Sequence, residues 1–335
     1  MVWVTLFSVG VSLATSMTGA SAAEKRHRRL LSFSAILLIT ILVVAGVVVV
    51  LLFLPIRQVD VSEQFPVQYR AGIDTLNLTL DSSISQVNLL SENVTDELFV
   101  LNASMTGRTS LLASEGLFQV SFDYTFTNSV LVVTSTIGSQ FRWLAPLTLS
   151  VTCDLYVNPA LKMNLNVKTD LGRTVITTKA GVILNSLNLE TTTGGVEVNL
   201  SEGTEVRGNI SLTTITGGIG FSWNNVIVHD DITVRMKVTT GGTNVNVNQT
   251  APLFGNVALN AETTTGGISL NMKIIDGVAA KIDSSSSVGG IDASVNGFSG
   301  NKTPLQSFNY PLVYNFNVEL GTTTGRISVN AYYTP

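Results

Sequence analysis

The sequence has few residues that could carry chemistry. Its 335 residues include one cysteine, two histidines, 13% charged residues and 7% aromatic residues. The single thiol, Cys153, excludes an intramolecular disulfide framework. Cys153 falls on the same strand face as the apolar Val151, two residues earlier, which predicts a buried side chain. A hydrolase triad needs a histidine beside an acid and a nucleophile, yet His229 precedes two aspartates in a stretch typical of a solvated loop. No G-x-S-x-G elbow occurs.

The charge balance argues against a nucleic-acid partner. The net charge is −4, and four of the 19 basic residues lie within residues 25–29, so the rest of the chain is more acidic still. The calcium-binding glycine-rich nonapeptide is missing, and we expect no cofactor and no metal. The outward phase of Asp283 and Asp292 leaves open a polysaccharide-active enzyme that uses paired carboxylates.

A long hydrophobic run dominates the amino-terminal region. Residues 30–56 contain no charged side chain, and residues 35–54 are almost unbroken Ile, Leu, Val, Ala and Phe. A helix of about 20 residues spans the hydrocarbon core of a bilayer. We therefore predict a transmembrane helix over residues 30–55, in contact with membrane lipid. The basic cluster on its amino side predicts a cytoplasmic amino end and an extracellular carboxyl-terminal domain.

Residues 1–29, which precede this helix, have two open interpretations. Residues 20–23 are small, as at a signal-peptide cleavage site, but the start of the chain carries no positive charge. The interpretation we favour is a weak membrane segment or a dispensable leader, followed by the basic cytoplasmic cluster.

What the chain has in abundance is a short motif that first appears as Thr191-Thr192-Thr193-Gly194-Gly195. Counted from the first glycine, successive copies lie 23, 24, 25 and 23 residues apart, and the last follows after 36. A spacing this regular is typical of a repeat architecture. The turn glycines are Gly194, Gly195, Gly217, Gly218, Gly241, Gly242, Gly266, Gly267, Gly289, Gly290 and Gly325.

Apolar residues alternate with polar ones on both sides of each turn. Seven residues before the first glycine stand Leu187, Ile210, Val234 and Leu259 in four successive repeats. A period of two predicts that each repeat is a strand, a glycine turn with positive φ, and a strand. Stacked in parallel, such repeats form a β-solenoid with a ladder of threonines; as hairpins, they form an antiparallel meander. In-register recurrence favours the solenoid.

The repeat resembles the adhesin-like domain family of bacterial and archaeal surface proteins, over roughly residues 130–333. The resemblance rests on six Thr/Ser-Gly turns in one phase, most followed by a hydrophobic-x-hydrophobic step. It implies an all-β, repetitive β-solenoid ectodomain on a cell surface, with an adhesive or scaffolding role. It supplies no catalytic residues.

Two further regions of the outer domain lie before the regular stack and within its last repeat. Residues 56–129 alternate without the Gly-Gly step and are predicted to be a membrane-side β cap or irregular first rungs, with the regular stack over residues 130–335. An insertion at residues 296–315 is a candidate recognition loop, or else a flap over the open end of the core. Its aromatic residues are Phe298, Phe308, Tyr310 and Tyr314.

Seven Asn-x-Ser/Thr sequons follow the hydrophobic run and none precedes it. This distribution agrees with an extracellular domain, although a chain rich in Asn, Ser and Thr also makes sequons by chance. The possible N-glycosylation sites are Asn77, Asn93, Asn102, Asn199, Asn209, Asn248 and Asn301.

Together these features predict a single-pass membrane protein whose external β-solenoid is a structural or adhesive module without catalytic activity. Contact with an unidentified surface glycan or protein would use the Thr/Asn-rich rungs and the aromatic loop. Two alternatives stay open: a polysaccharide-active enzyme on the same scaffold, and a surface sensor or assembly subunit.

Overall fold

The computed structural model describes residues 35–47, 56–91, 96–110, 118–139, 146–300 and 303–335. The chain divides into two compact units, Met1–Ile56 and Arg57–Pro335. In the first unit, residues 35–47 form a helix, α1, with exposed side chains. Among the described residues, no helix combines the length and the hydropathy that a bilayer crossing requires. The predicted transmembrane helix continues into residues 30–34 and 48–55, which lie outside the described residues, as does the predicted leader.

The rest of the described chain is mostly strand, joined by turns and loops, which confirms the predicted all-β class. The strands are β1 (Ile56–Gln68), β2 (Thr75–Ile84), β3 (Gln86–Ser91), β4 (Glu97–Ser110), β5 (Phe118–Thr127), β6 (Val130–Ser139), β7 (Pro146–Val157), β8 (Lys162–Thr177), β9 (Ile183–Leu200), β10 (Glu205–Val206), β11 (Ile210–Thr216), β12 (Ile219–Asn224), β13 (Ile227–Val228), β14 (Ile232–Thr240), β15 (Thr243–Gln249), β16 (Val257–Thr265), β17 (Ile268–Ile275), β18 (Ala279–Val288), β19 (Ile291–Asn296), β20 (Phe298–Ser299), β21 (Leu305–Ser307), β22 (Asn315–Thr324) and β23 (Ile327–Thr334).

The repeats stack in parallel and in register. Each rung has a first arm before the corner glycine and a second arm after it. The first arms of β9, β11, β14 and β16 pair so that Leu187, Ile210, Val234 and Leu259 lie side by side, and all four are buried. The second arms of β9, β12, β15 and β17 pair in the same way. Parallel stacking is thereby confirmed for these repeats, and the antiparallel meander is excluded.

At the carboxyl-terminal end, the rungs do not follow the order of the chain. β22 lies between β16 and β18, and β23 lies between β17 and β19. The last rung of the chain is therefore the penultimate rung of the stack. The segment between β19 and β22, which contains β20 and β21, accounts for the 36-residue step between the last two turns.

A similar exchange occurs at the other end. β2 lies between β6 and β8, and β3 lies between β7 and β8, all in parallel. Residues 75–91 are thus a rung inside the stack. The missing Gly-Gly step therefore does not prevent residues 75–91 from pairing in register, although the regular glycine-cornered stack is predicted only from about residue 130.

A column of glycines forms the corners of the rungs. φ is 140° at Gly194 and 142° at Gly217, and a Cβ at Gly217 would overlap the carbonyl oxygen of Gly194 on the neighbouring rung. L-residues rarely adopt this backbone conformation, and a side chain would have to push the rungs apart. The same applies at Gly172, Gly241, Gly266, Gly289 and Gly325.

The second glycine of each pair has a different role. None of Gly195, Gly218, Gly242, Gly267 and Gly290 has positive φ. Arg173 lies opposite Gly195 in the neighbouring rung, and Arg326 follows Gly325 at the equivalent place. The expected positive-φ turn therefore holds for the first glycine alone. At Gly195 and Gly242 a Cβ would meet the next carbonyl oxygen at an ordinary 3.6 and 3.5 Å, whereas at Gly218 and Gly267 the approach is a tighter 3.2 Å. The corner is a bend through which β9 continues.

Hydroxyl side chains fill the inside of the corners. Thr214 is buried, and its Oγ1 donates to the carbonyl oxygen of Gly194 at 3.2 Å. The buried hydroxyls of Thr243 and Thr263 lie 3.2 Å apart on adjacent rungs. These hydroxyls thus bond across a corner or to a glycine carbonyl. The sequence pattern predicts hydrogen bonds between equivalent threonines of successive rungs. Thr214, Thr243 and Thr263 do not make such bonds.

The two ends of the stack are finished differently. At the amino-terminal end, β5 pairs antiparallel with β6 and β4 with β7, and Phe122 on β5 stacks with Phe65 at 5.1 Å and Phe99 at 6.2 Å between ring centroids. Within residues 56–129, β2 and β3 therefore form a rung, and β5 pairs with the end of the stack. At the other end, β21 pairs antiparallel with a short part of β18. Among the described residues, no strand pairs with the outer side of β19.

Candidate ligand-contact face

The outward side chains of the second arms form two polar columns, which we call the asparagine face. Because the arms are in register, residues at equal distances after the corner glycine stand side by side on the surface. In stacking order, the first column is Asn199, Ser222, Asn246, Asn271, Asn330 and Ser294, and the second is Asn224, Asn248, Lys273, Tyr332 and Asn296.

The amides of this face hold one another in place. Asn271 Nδ2 donates to Asn246 Oδ1 at 3.0 Å, and Asn330 Nδ2 donates to Asn271 Oδ1 at 3.0 Å. In the second column, Asn248 Nδ2 donates to Asn224 Oδ1 at 2.7 Å. A side-chain amide has two N–H donors and two carbonyl lone pairs. The bond between neighbours uses one of each, so Asn271 keeps one donor and one acceptor with which to bind a ligand.

A shallow groove of about 280 Å³ runs between the two columns. Its polar lining comes from Ser222, Asn224, Asn246, Asn248, Asn271, Lys273, Asn330 and Tyr332. The Tyr332 side chain is 48% exposed and offers an apolar ring beside fixed amides. Of the lining residues, Lys273 alone is charged. The surface exposed inside this groove is almost entirely apolar, and Trp223, Val247 and Met272 also line it. The groove can therefore bind an uncharged group through an apolar and aromatic contact, with the amides at its edge available for hydrogen bonds.

The outer surface of the first arms also has amide pairs, such as Asn188 Nδ2 donating to Asn166 Oδ1 at 2.8 Å, but it adds ion pairs. It carries an ion pair between Arg235 and Glu262, at 3.7 Å, and another between Lys281 and Asp283, at 2.7 Å. Exposed pairs of this kind contribute less than about 1 kcal/mol each to stability. They nevertheless make this a surface of mixed charge, in contrast to the asparagine face.

A carboxylate stands where the asparagine face meets the corner. Asn199 Nδ2 donates to Glu197 Oε1 at 3.0 Å, and Arg173 forms an ion pair with the same side chain. The hydrogen bond from Asn199, and then the charge of Arg173, lower the pKa of Glu197. Glu197 therefore stays ionised to lower pH than an isolated glutamate.

The aromatic residues of the predicted recognition loop have different surroundings. Phe298 is only 7% exposed and belongs to the core, so its assignment to a recognition surface is wrong. Phe308 is 70% exposed and Tyr314 is 37% exposed. Tyr310 Oη lies 3.5 Å from Asn317 Oδ1. Two of the four rings, Phe308 and Tyr314, are thus available for contact.

The backbone around these rings covers part of the terminal rung. Ser284 N donates to Thr303 Oγ1 at 2.8 Å, and Ala280 N donates to Ser307 Oγ at 3.0 Å. Both donors belong to β18, whose outer edge β21 also pairs with. This observation supports the flap interpretation of the insertion for the first arm of the terminal rung.

The sequon asparagines that the structure describes are all on the surface or half-buried. Asn77 and Asn209 are exposed, and each uses its Oδ1 as an acceptor, from Asn164 Nδ2 and Thr233 N. Asn199 and Asn248 are half-buried and use Nδ2, the glycosylated atom, as a donor. Asn102 Oδ1 accepts from Ser62 Oγ at 3.2 Å. Asn93 and Asn301 lie outside the described residues.

The two carboxylates considered for catalysis lie on different arms of the terminal rung. Asp283 is on the first arm of the terminal rung, paired with Lys281, whereas Asp292 is on the second arm, 3.3 Å from Arg326. His229 stacks on Phe254, with 5.8 Å between ring centroids. Within the described ranges, no cluster of His, Cys, Asp and Glu is placed to hold a metal ion.

Cys153 is fully buried, as its alternation predicts, and burial raises the pKa of its thiol. A thiol in this environment is un-ionised and unreactive. It therefore contributes to packing and does not form a reactive site.

Apolar periodicity alone does not identify the asparagine face. Its signal is the residue five positions after the first corner glycine, which is Asn or Ser in all six repeats. That regularity appears only after the turns have been aligned, because the step between turns varies from 23 to 36 residues.

The chain matches no protein-family model and no curated protein sequence. Solved structures do resemble it. A candidate cell adhesion protein from Clostridium sporogenes ATCC 15579 is 13% identical with a TM-score of 0.39, covering 82% of this chain and 100% of its own. A candidate adhesin from Bacteroides fragilis NCTC 9343 is 11% identical with a TM-score of 0.33, covering 81% of this chain and 97% of its own. Likenesses this distant carry no argument about function.

Proposed function

We propose that this chain is a surface adhesive module without catalytic activity, and that it contacts its ligand through the asparagine face. The observation that carries the proposal is the amide ladder of Asn246, Asn271 and Asn330, with Tyr332 beside it. Uncharged donors and acceptors in fixed positions suit a hydroxyl-rich, uncharged ligand. A neutral glycan has this chemistry.

The ladder also suggests how adhesion would work. A neutral hydrogen bond contributes only about 0.5–1.5 kcal/mol, so one amide binds weakly. Amides that recur once per rung, roughly 4.8 Å apart, can engage successive groups of an extended ligand. Because the side chains are already held by their neighbours, little rotamer entropy is lost on binding. Many copies on one surface would multiply the effect through effective concentration.

The proposed location is the cell surface, with residues 30–55 as a membrane anchor and the strand domain outside. Four features support this placement: the uncharged run, the helix α1 within it, the basic residues before it, and sequons only after it. A surface sensor or assembly subunit is an alternative of another class. Recovery of a stoichiometric membrane partner in a pull-down would favour that alternative.

The test is binding of the full chain, in mild detergent, to an array of neutral and charged oligosaccharides. The double variant Asn271→Ala and Asn330→Ala removes the middle and end of the ladder and should weaken binding to neutral glycans at least tenfold. Asn260→Ala, on the outer surface of the first arms, is the matched control and should bind like the wild type. Equal binding by both variants would contradict the assignment of the face.

A polysaccharide-active enzyme is the weaker alternative, because Asp283 and Asp292 lie on different arms of the terminal rung and each is paired with a different basic residue. The same array read for shortened oligosaccharides tests it. Cleavage that disappears in Asp283→Asn or Asp292→Asn would show that the chain is an enzyme.

A further inference from the structure

The second arm of the terminal rung, β19, is an incomplete part of the core. Its inward side chains, Ile291, Ala293 and Val295, are only half-buried. In the preceding rung, the paired residues Ile327, Val329 and Ala331 are fully buried. β23 has a strand on both sides, β17 and β19, and is therefore covered. β19 pairs with β23 alone among the described strands, so its outer side is uncovered.

The backbone of β19 is also left open. Inward residues of the second arms donate to the following rung: Thr243 N donates to Gly267 O at 2.9 Å, and Ile327 N donates to Gly290 O at 2.9 Å. Ile291 holds the same position in the terminal rung, so its N–H points away from the stack. Because backbone direction alternates along a strand, Ala293 and Val295 present N–H and C=O groups to the same side.

β19 has little of the protection that natural edge strands carry. Such strands are commonly blocked by lysine, proline or an inward charge. Residues 291–296 contain neither lysine nor proline, and their one charge, Asp292, is outward and paired with Arg326. β21 covers part of β18 but not β19. Val288, at the corner of the same rung, is 63% exposed.

We propose that β19 is a docking edge for a second copy of this chain, which pairs antiparallel with it about a twofold axis at Ala293. In this register Ala293 faces Ala293 of the second copy, and Ile291 faces the second copy's Val295. All of these residues present N–H and C=O to the edge, so three hydrogen-bonded pairs supply about six backbone bonds. The inward side chains of both copies then line one continuous apolar surface.

Charge and symmetry favour a second copy over an unrelated strand. Asp292 faces Ser294 of the second copy, so no like charges are opposed. Pairing about Ala293 places Ile291 against the second copy's Val295, so partly buried apolar side chains face one another at every edge position, as a self-complementary isologous interface requires. A strand of six residues buries far less than the roughly 1,000 Å² of a typical stable interface. The dimer is therefore expected to be weak and to depend on protein concentration.

Disulfide trapping of the full chain in mild detergent tests the register. Hydrogen-bonded antiparallel partners have Cα atoms about 5.5 Å apart, within the range of a disulfide. Ala293→Cys should therefore form a covalent dimer under mild oxidation at least ten times faster than the wild type, whose Cys153 is buried. Val295→Cys is the matched control: its equivalents would lie about 13 Å apart, four residues along the strand. Equal trapping in both variants would overturn this register.

Sedimentation of the full chain over a hundredfold range of concentration tests the dimer itself. The wild type should shift towards dimer, and Ala293→Lys, which places an inward charge at the edge, should stay monomeric. Ser328→Lys, outward on β23, is the control and should dimerise like the wild type. Circular dichroism checks that each variant keeps its strands. The proposal would be overturned if the wild type stayed monomeric at every concentration and Ala293→Cys formed no covalent dimer. The edge would then be either unpaired or a docking site for a strand of another protein.

Discussion

The corner glycines allow the stacking to be tested at two adjacent residues. Gly194 has φ of 140°, whereas Gly195 does not have positive φ. A Cβ at Gly194 would overlap the carbonyl oxygen of Gly172 on the neighbouring rung. At Gly195 the nearest backbone atom would be the carbonyl oxygen of Gly218, at an ordinary 3.6 Å. Alanine at these two positions should therefore have opposite effects.

We expect Gly194→Ala to lower the free energy of unfolding by roughly 3–5 kcal/mol. An L-residue in this backbone region costs about 1–3 kcal/mol. Relief of the overlap must also move the corner, which weakens bonds made there at about 1 kcal/mol each, among them the 3.2 Å bond from Thr214 to Gly194. Gly195→Ala should be neutral or stabilising by up to about 1 kcal/mol, because alanine loses less backbone entropy on folding.

Urea unfolding followed by far-ultraviolet circular dichroism measures both variants against the wild type. A loss of less than about 1 kcal/mol in Gly194→Ala, or equal losses in the two variants, would refute the argument that corner carbonyls pack against a glycine column. If Gly194→Ala does not fold at all while Gly195→Ala does, the prediction that Gly194→Ala is the more destabilising change still holds.

Three further outcomes are expected. Gln249→Leu leaves the buried Trp223 Nε1 without its 2.8 Å acceptor and should cost about 1–3 kcal/mol in denaturant unfolding; a neutral effect would show that the bond is dispensable. The pKa of Glu197 is lowered on folding, so its contribution to stability is complete above its unfolded value of about 4.5 and disappears as pH falls through the folded value. Glu197→Gln should therefore flatten the decline in melting temperature below about pH 4.5, and an unchanged profile would contradict this. Phe298→Ala should cost about 3–5 kcal/mol and Phe308→Ala less than about 0.5 kcal/mol, and similar thermal shifts would remove the distinction between buried and exposed loop rings.

The strand pattern and the parallel stack could be predicted because they depend on local chemistry repeated in sequence. The alternation around Leu187, Ile210 and Val234 decides which face of each strand is buried, and a one-residue slip would expose that whole face. The corner glycine fixes where each rung bends. These two constraints fit both a parallel stack and an antiparallel meander, and the in-register recurrence of residue types favours the parallel stack, in which equivalent residues lie beside one another.

The same pattern could not predict that only the first glycine of each Gly-Gly pair has positive φ. Both glycines lack a side chain, and only the backbone shows that Gly194 meets a neighbouring carbonyl while Gly195 does not. A sequence clue exists in Arg326, which follows Gly325 where the other turns have a second glycine. The same limit applies to Phe298 and Phe308, because a loop without periodicity gives no indication of which ring is buried.

The order of the rungs is the feature that sequence leaves open, and the asparagine face depends on it. Gly325 packs on the Gly266 carbonyl and Gly289 on that of Gly325, by the same contact that joins the rungs from Gly172 to Gly266. Since these interfaces are alike, the connecting loops decide which rungs are neighbours. In chain order, Asn271 would lie beside Ser294, and the amide ladder would end after two residues. Insertion of β23 between β17 and β19 places Asn330 against Asn271 and extends the ladder to three.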